Sequence, residues 1–87
     1  MKGDLTDAPA AMTETEKRCA SVVRHIDAYK AERYRKGDDK DTVAKKLGLS
    51  YGRLKSILRT STESVTLSEL SAIANAMNIS ISTLIGG

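Results

Sequence analysis

Apolar residues recur with the helical period in five stretches of the 87-residue chain, and polar breaks separate them. Turned by about 100° per residue, Cys19, Val22, Val23, Ile26 and Tyr29 fall within one stripe about 120° wide, which predicts a helix over 14–36 with that face buried. Val43, Ala44 and Leu47 line one side of a helix predicted at 40–47, and Leu54, Ile57 and Leu58 do the same at 51–59. Leu67, Leu70, Ile73, Ala74 and Met77 follow the period over 67–77. Ile81, Leu84 and Ile85 fit one further turn or two at 81–85. Not all three can face inwards, so this last segment is expected to leave apolar surface outside.

The breaks carry their own chemistry. Thr13-Glu14-Thr15-Glu16 matches the S/T-x-x-E capping box, in which two side chains satisfy backbone N–H groups that the first turn leaves unpaired. Thr66-Leu67-Ser68-Glu69 repeats it, with Val65 placed to staple onto Leu70. Asp39 and Ser50 are placed to cap the second and third helices, and Ser80 the last. Gly37 and Gly48 end the two helices before them, because glycine takes the left-handed conformation past a helix end without a Cβ clash; Asn78 is the corresponding stop at the fourth. Thr60 to Thr66 reads as an exposed, hydroxyl-rich loop. Residues 1–12 show no period and read as a disordered leader, so one folded domain is expected over 13–87.

Composition favours an all-α fold. Apolar content is 40%, with three Tyr and neither Phe nor Trp, so the core is built of small aliphatic residues. A chain this short buries roughly 60% of its unfolded surface, enough for a single modest core. The net charge of +3 is unevenly spread. Residues 17–59 hold thirteen Lys and Arg against five acids, while the segments before and after are acidic. Concentrated positive charge attracts polyanions, and release of counterions from phosphates is the usual source of non-specific DNA affinity. The other reading of the same charge is a well-solvated surface.

Several function classes recede. Cys19 is the sole cysteine and His25 the sole histidine, so neither an internal disulfide nor a metal-ligand set is expected, and Cys19 reads as a small core residue. No nucleophile and base set, carboxylate pair or phosphate loop is present, so no enzyme activity and no cofactor are expected. The start of the chain lacks the apolar core of a signal peptide, and no run approaches the roughly 20 residues of a membrane span. A cytoplasmic protein with no membrane contact is the expectation.

What remains is the pair of helices joined at Gly48-Leu49-Ser50. Both bury their inner faces, and the second displays Tyr51, Arg53, Lys55, Ser56 and Arg59 elsewhere, a donor-rich cationic surface of the kind the major groove accepts. The fork of Arg53 suits guanine O6 and N7, with a phosphate contact as the alternative. Tyr51 can reach a phosphate or a thymine methyl, or simply cover the turn, and Gly52 leaves room for close backbone approach. Ser56 can bond several bases. Lys40, at the positive end of its helix, is placed for a phosphate. Lys45, Lys55 and Arg59, with Lys46, supply attraction for the backbone.

Val43-Ala44, Gly48-Leu49-Ser50, Leu54, Ile73-Ala74 and Ile79-Ser80 together resemble the lambda-repressor-like, Cro/CI-type helix-turn-helix family, also called the XRE family, over roughly residues 22–85. The resemblance implies a compact five-helix bundle whose third helix enters the major groove of double-stranded DNA. It carries base contacts to Tyr51, Gly52, Arg53 and Ser56, and phosphate contacts to Lys40. The chain departs from the family pattern at four places. Lys40 and Tyr51 replace glutamines, Leu58 replaces a glutamate that elsewhere pairs with an arginine, Glu63 stands in a loop that relatives make basic, and the first helix is long. Arg33, deprived of that glutamate, is expected to face phosphate or solvent. The family's usual dimer contact falls on Ile81, Leu84 and Ile85, with the first helix as the alternative. The expected function is that of a sequence-specific, homodimeric transcription regulator of the phage-repressor type. The competing reading is a protein-interaction module, an antitoxin or anti-repressor with a protein partner and DNA binding secondary or lost.

Overall fold

Each helix starts on a side chain that accepts a backbone N–H. In the computed structural model, which describes residues 13–59 and 62–86, α1 spans Glu14–Arg35 and α2 Lys40–Lys46. Next come α3 at Tyr51–Arg59, a 3-10 turn at Thr62–Ser64, α4 at Leu67–Met77 and α5 at Ile81–Leu84. The leader expected over residues 1–12 lies outside the described residues. Thr13 accepts from Glu16 N–H and Glu16 returns a bond to Thr13 N–H, at 3.1 and 2.9 Å. Thr66 and Glu69 repeat this reciprocal pair at the start of α4. Asp39 accepts from Thr42 N–H at 2.8 Å, Ser50 from Arg53 N–H at 3.1 Å and Ser80 from Thr83 N–H at 3.0 Å.

The ends are set as sharply. Past α2, Gly48 has φ +80, its N–H reaches Lys45 O, and Leu49 N–H reaches Ala44 O at 2.9 Å. This paired closure satisfies the last carbonyls of the helix and turns the chain within a few residues. Asn78 does the same after α4 with φ 60, its amide to Asn75 O and that of Ile79 to Ala74 O.

The core gathers one face from every helix. Val22 and Ile26 of α1, Val43 and Ala44 of α2 with Leu47 just past its end, Leu54 and Ile57 of α3, Ile73 and Ala74 of α4 and Leu84 of α5 are all buried. Cys19, Val23 and Tyr29, expected on the inner stripe of α1, are half-buried instead. The fully buried face of α1 therefore narrows to Val22 and Ile26, with Ser21 beside them. Ser21, which no apolar pattern marks, is 2% exposed, and its hydroxyl donates to Leu84 O at 2.9 Å. That bond meets the requirement that a buried hydroxyl be paired.

Three expectations need correcting. Leu67 is 70% exposed although it shares the period of α4, because it sits at the first position of that helix, before α4 has run under its neighbours. The segment after α3 contains an ordered 3-10 turn where an exposed loop was expected, and Thr62 hydroxyl donates to Ile57 O to hold it against the end of α3. Leu84 is fully buried in the core, so it offers nothing to a second chain, whereas Ile81 and Ile85 are half-buried.

Candidate nucleic-acid interface

Nine residues of α3 divide into an inner face, two flanks and an outer face. Leu54 and Ile57 point into the core, and at about 100° per residue Gly52, Lys55, Ser56 and Arg59 centre on the opposite side. Arg53 falls on the flank towards α4, and Tyr51 and Leu58 on the flank towards α1. Gly52, Lys55 and Arg59 are exposed and Ser56 is half-buried. Around a Cβ built on Gly52 no atom of the described residues lies within 4 Å, so none of them requires glycine there.

The flanks are both fastened. On one, the Lys40 ammonium stands 4.8 Å from the centre of the Tyr51 ring, which joins the first residue of α2 to the first residue of α3. An ammonium over a tyrosine face is attracted by the ring quadrupole, so the pair keeps its charge at the surface while covering the turn. On the other flank Arg53 lies across to α4. Its Nε donates to Glu69 Oε2 and its Nη2 to Oε1, both at 2.8 Å, and Nη2 also reaches Ser64 O at 3.1 Å. The fork that the sequence offered to guanine is therefore closed on a carboxylate of the same chain. The Arg53 guanidinium and the backbone N–H of Thr66 hold the Glu69 carboxyl well below its ordinary range, at about 2.

Charge elsewhere is partly consumed as well. Arg33 Nε donates to Asp38 Oδ2 at 2.6 Å and Lys46 reaches the same oxygen at 3.0 Å. Arg33 thus replaces the absent glutamate on α3 with an aspartate five residues along, and this corrects the expectation that it faces phosphate or solvent. These bonds hold the Asp38 carboxyl below its usual range. Arg35 and Lys36 both pair with Glu32. By contrast Lys45, Lys55 and Arg59 pair with no acid among the described residues. A groove of about 270 Å³ runs between α1 and α3, lined by Val23, Leu54 and Leu58, and brings Asp27 and Lys30 of α1 beside Lys55 and Arg59.

Among the described residues no three metal-ligating side chains gather, and His25 Nδ1 lies 2.8 Å from Ser21 O in its own helix. Burial, then Glu63 and Glu16, raises the Cys19 thiol, which stays protonated near neutrality. No described helix is long and apolar enough to cross a membrane.

The bundle of capped helices, the glycine turn between α2 and α3 and the cationic outer face of α3 form one recognisable arrangement, and the pattern of the Cro/C1-type HTH DNA-binding domain matches residues 34–86. The chain belongs to the Cro/C1-type helix-turn-helix family. No curated protein and no solved structure matches it. Membership makes it a DNA-binding regulator of transcription and makes α2 and α3 its helix-turn-helix. The match begins near the end of α1, whose Val22 and Ile26 share the core of the matched domain.

Proposed function

We propose that the protein is a sequence-specific repressor that binds as a homodimer, with α3 of each copy in the major groove. The observation that carries this reading is the outer face of α3: Gly52, Lys55 and Arg59 are exposed, and neither cation forms an ion pair with an acid among the described residues. A helix of about 10–12 Å diameter fits a major groove about 12 Å wide. Gly52 allows the backbone to approach, Ser56 and Tyr51 offer hydroxyls to bases, and Lys55 and Arg59 flank them towards phosphates. Lys40 and Lys45 of α2 meet the adjacent backbone, Lys40 beside the first-turn N–H groups of its helix.

A single such domain reads only a few base pairs. Two copies on half-sites about one helical turn apart multiply the discrimination, and the half-buried Ile81 and Ile85 of α5 are the surface we assign to the contact. Occupancy alone then excludes other proteins from the site, which is sufficient for repression.

Selection of bound duplexes from random DNA, followed by mobility shifts, tests the reading. A palindromic site should emerge, and affinity should fall steeply with salt. Lys40→Ala should weaken binding on every sequence and reduce the salt slope by about one. Binding that ignores salt, or no selected sequence at all, would sink the proposal.

A further inference from the structure

Apolar burial holds α3 against the bundle, but it is not directional. Leu54 and Ile57 would remain buried if the helix rolled a little about its axis. A roll of about 20° moves an atom on a helix surface, about 5 Å from the axis, by nearly 2 Å, which exceeds the distance window of a hydrogen bond. Something directional must therefore fix the roll if α3 is to read bases.

The candidate lies on the flank facing α4. Arg53 and Glu69 are 16 residues apart, and their side chains are only 29% and 21% exposed. The two parallel bonds of a guanidinium to a carboxylate define an angle as well as a distance, which a single contact does not. Glu69 is itself immobilised, since the same Oε1 accepts Thr66 N–H in the capping box of α4 at 3.0 Å. A third Arg53 bond, from Nη2 to Ser64 O, takes in the 3-10 turn. Three consecutive elements are thus tied at one guanidinium, while the opposite flank carries only the looser contact of Lys40 with the Tyr51 ring.

We propose that Arg53 is a positioning residue: through Glu69 and Ser64 it fixes the roll of α3 on the bundle and so sets which bases Tyr51, Gly52 and Ser56 meet. The proposal rests on the DNA reading above and reassigns Arg53 from contact with a base to control of the helix that makes the contacts. It also explains why an arginine can sit on this helix without adding a free charge to its outer face.

The test compares the full chain with Arg53→Met, which keeps the aliphatic stem and removes the fork. A second variant, Glu69→Gln, keeps the capping box, which glutamine also serves, and removes the ion pair. Duplexes are selected from random DNA with each protein, and affinities for the selected site and for random duplex are measured where circular dichroism shows the variant folded. Each variant should lower the ratio of specific to random affinity by about tenfold, the two should act non-additively in the double variant, and preference should weaken at several base pairs together. Loss of preference at one base pair in Arg53→Met, with Glu69→Gln unchanged or improved, would show Arg53 reading a base and overturn the proposal. A lower melting temperature with an unchanged ratio would overturn it too, by making the pair structural only. Should Arg53→Met not fold, Glu69→Gln decides alone by the same ratio. A wild-type chain that selects no sequence overturns the DNA reading itself, and that result is seen before any variant is made.

Discussion

Gly48 in the turn between α2 and α3 lies against Ala72 of α4 so closely that a Cβ on Gly48 would stand 2.9 Å from the Ala72 Cβ. Two demands meet at this position, since the backbone also has φ +80. Gly48→Ala should destabilise the fold by about 1–3 kcal/mol, the usual range for a side chain forced into that region, with the overlap added. Urea unfolding measures it. Adding Ala72→Gly should recover the part due to overlap and leave the part due to φ.

Ser21 makes the next prediction. Its hydroxyl is the donor that Leu84 O receives from α1, and both groups are buried. Ser21→Ala leaves that carbonyl without its partner and should cost about 1–3 kcal/mol. Hydrogen exchange should show the loss concentrated at α5, whose last residue supplies the carbonyl that the Ser21 hydroxyl holds. Exchange that quickens evenly over the chain would contradict this assignment.

Why one part of this molecule could be read from its sequence and another could not is clear from these residues. Thr13, Asp39, Ser50, Thr66, Ser80, Gly48 and Asn78 act within four residues of themselves, so their roles are written locally. Val22, Ile26, Leu54 and Ile73 follow a period that survives folding. Arg53 and Glu69 are separated by 16 residues, and nothing near Arg53 marks a carboxylate as its partner. Arg33 was deprived of a partner by comparison with relatives, yet it found Asp38 across the glycine turn. Ser21 lies outside the apolar stripe of α1, and only the arrival of α5 explains its burial. Leu67 and Leu84 fit the helical period equally well, but position along the helix decides that one is exposed and the other buried.

Acid should weaken the fold in a defined window. Arg53 and the Thr66 amide hold the Glu69 carboxyl at about 2, against 4.5 for the free group, and Asp38 and Asp39 are also lowered. A carboxylate depressed in the folded state contributes stability that is fully present above its unfolded value and is lost as pH falls through the folded one. Stability should therefore be level from neutrality to about pH 5 and decline between about pH 4.5 and 2. Thermal melts across that range check the decline, and Glu69→Gln should reduce its slope while lowering stability at pH 7.

Gly52 separates stability from function. Its position in α3 is open, so Gly52→Ala should raise stability by about 0.4–1 kcal/mol through lost freedom of the unfolded chain. The same methyl group stands on the face assigned to DNA and should weaken specific binding. A variant both more stable and equally tight in binding would remove Gly52 from the interface.

The central claim is that the outer face of α3 lies in the major groove. Dimethyl sulfate methylates guanine at N7 in the major groove and adenine at N3 in the minor groove, so its protection pattern on the selected site reports the groove occupied. The account predicts protection of guanine N7 in two patches about one helical turn apart on one face of the duplex. Adenine N3 protected with guanine N7 left open would contradict it.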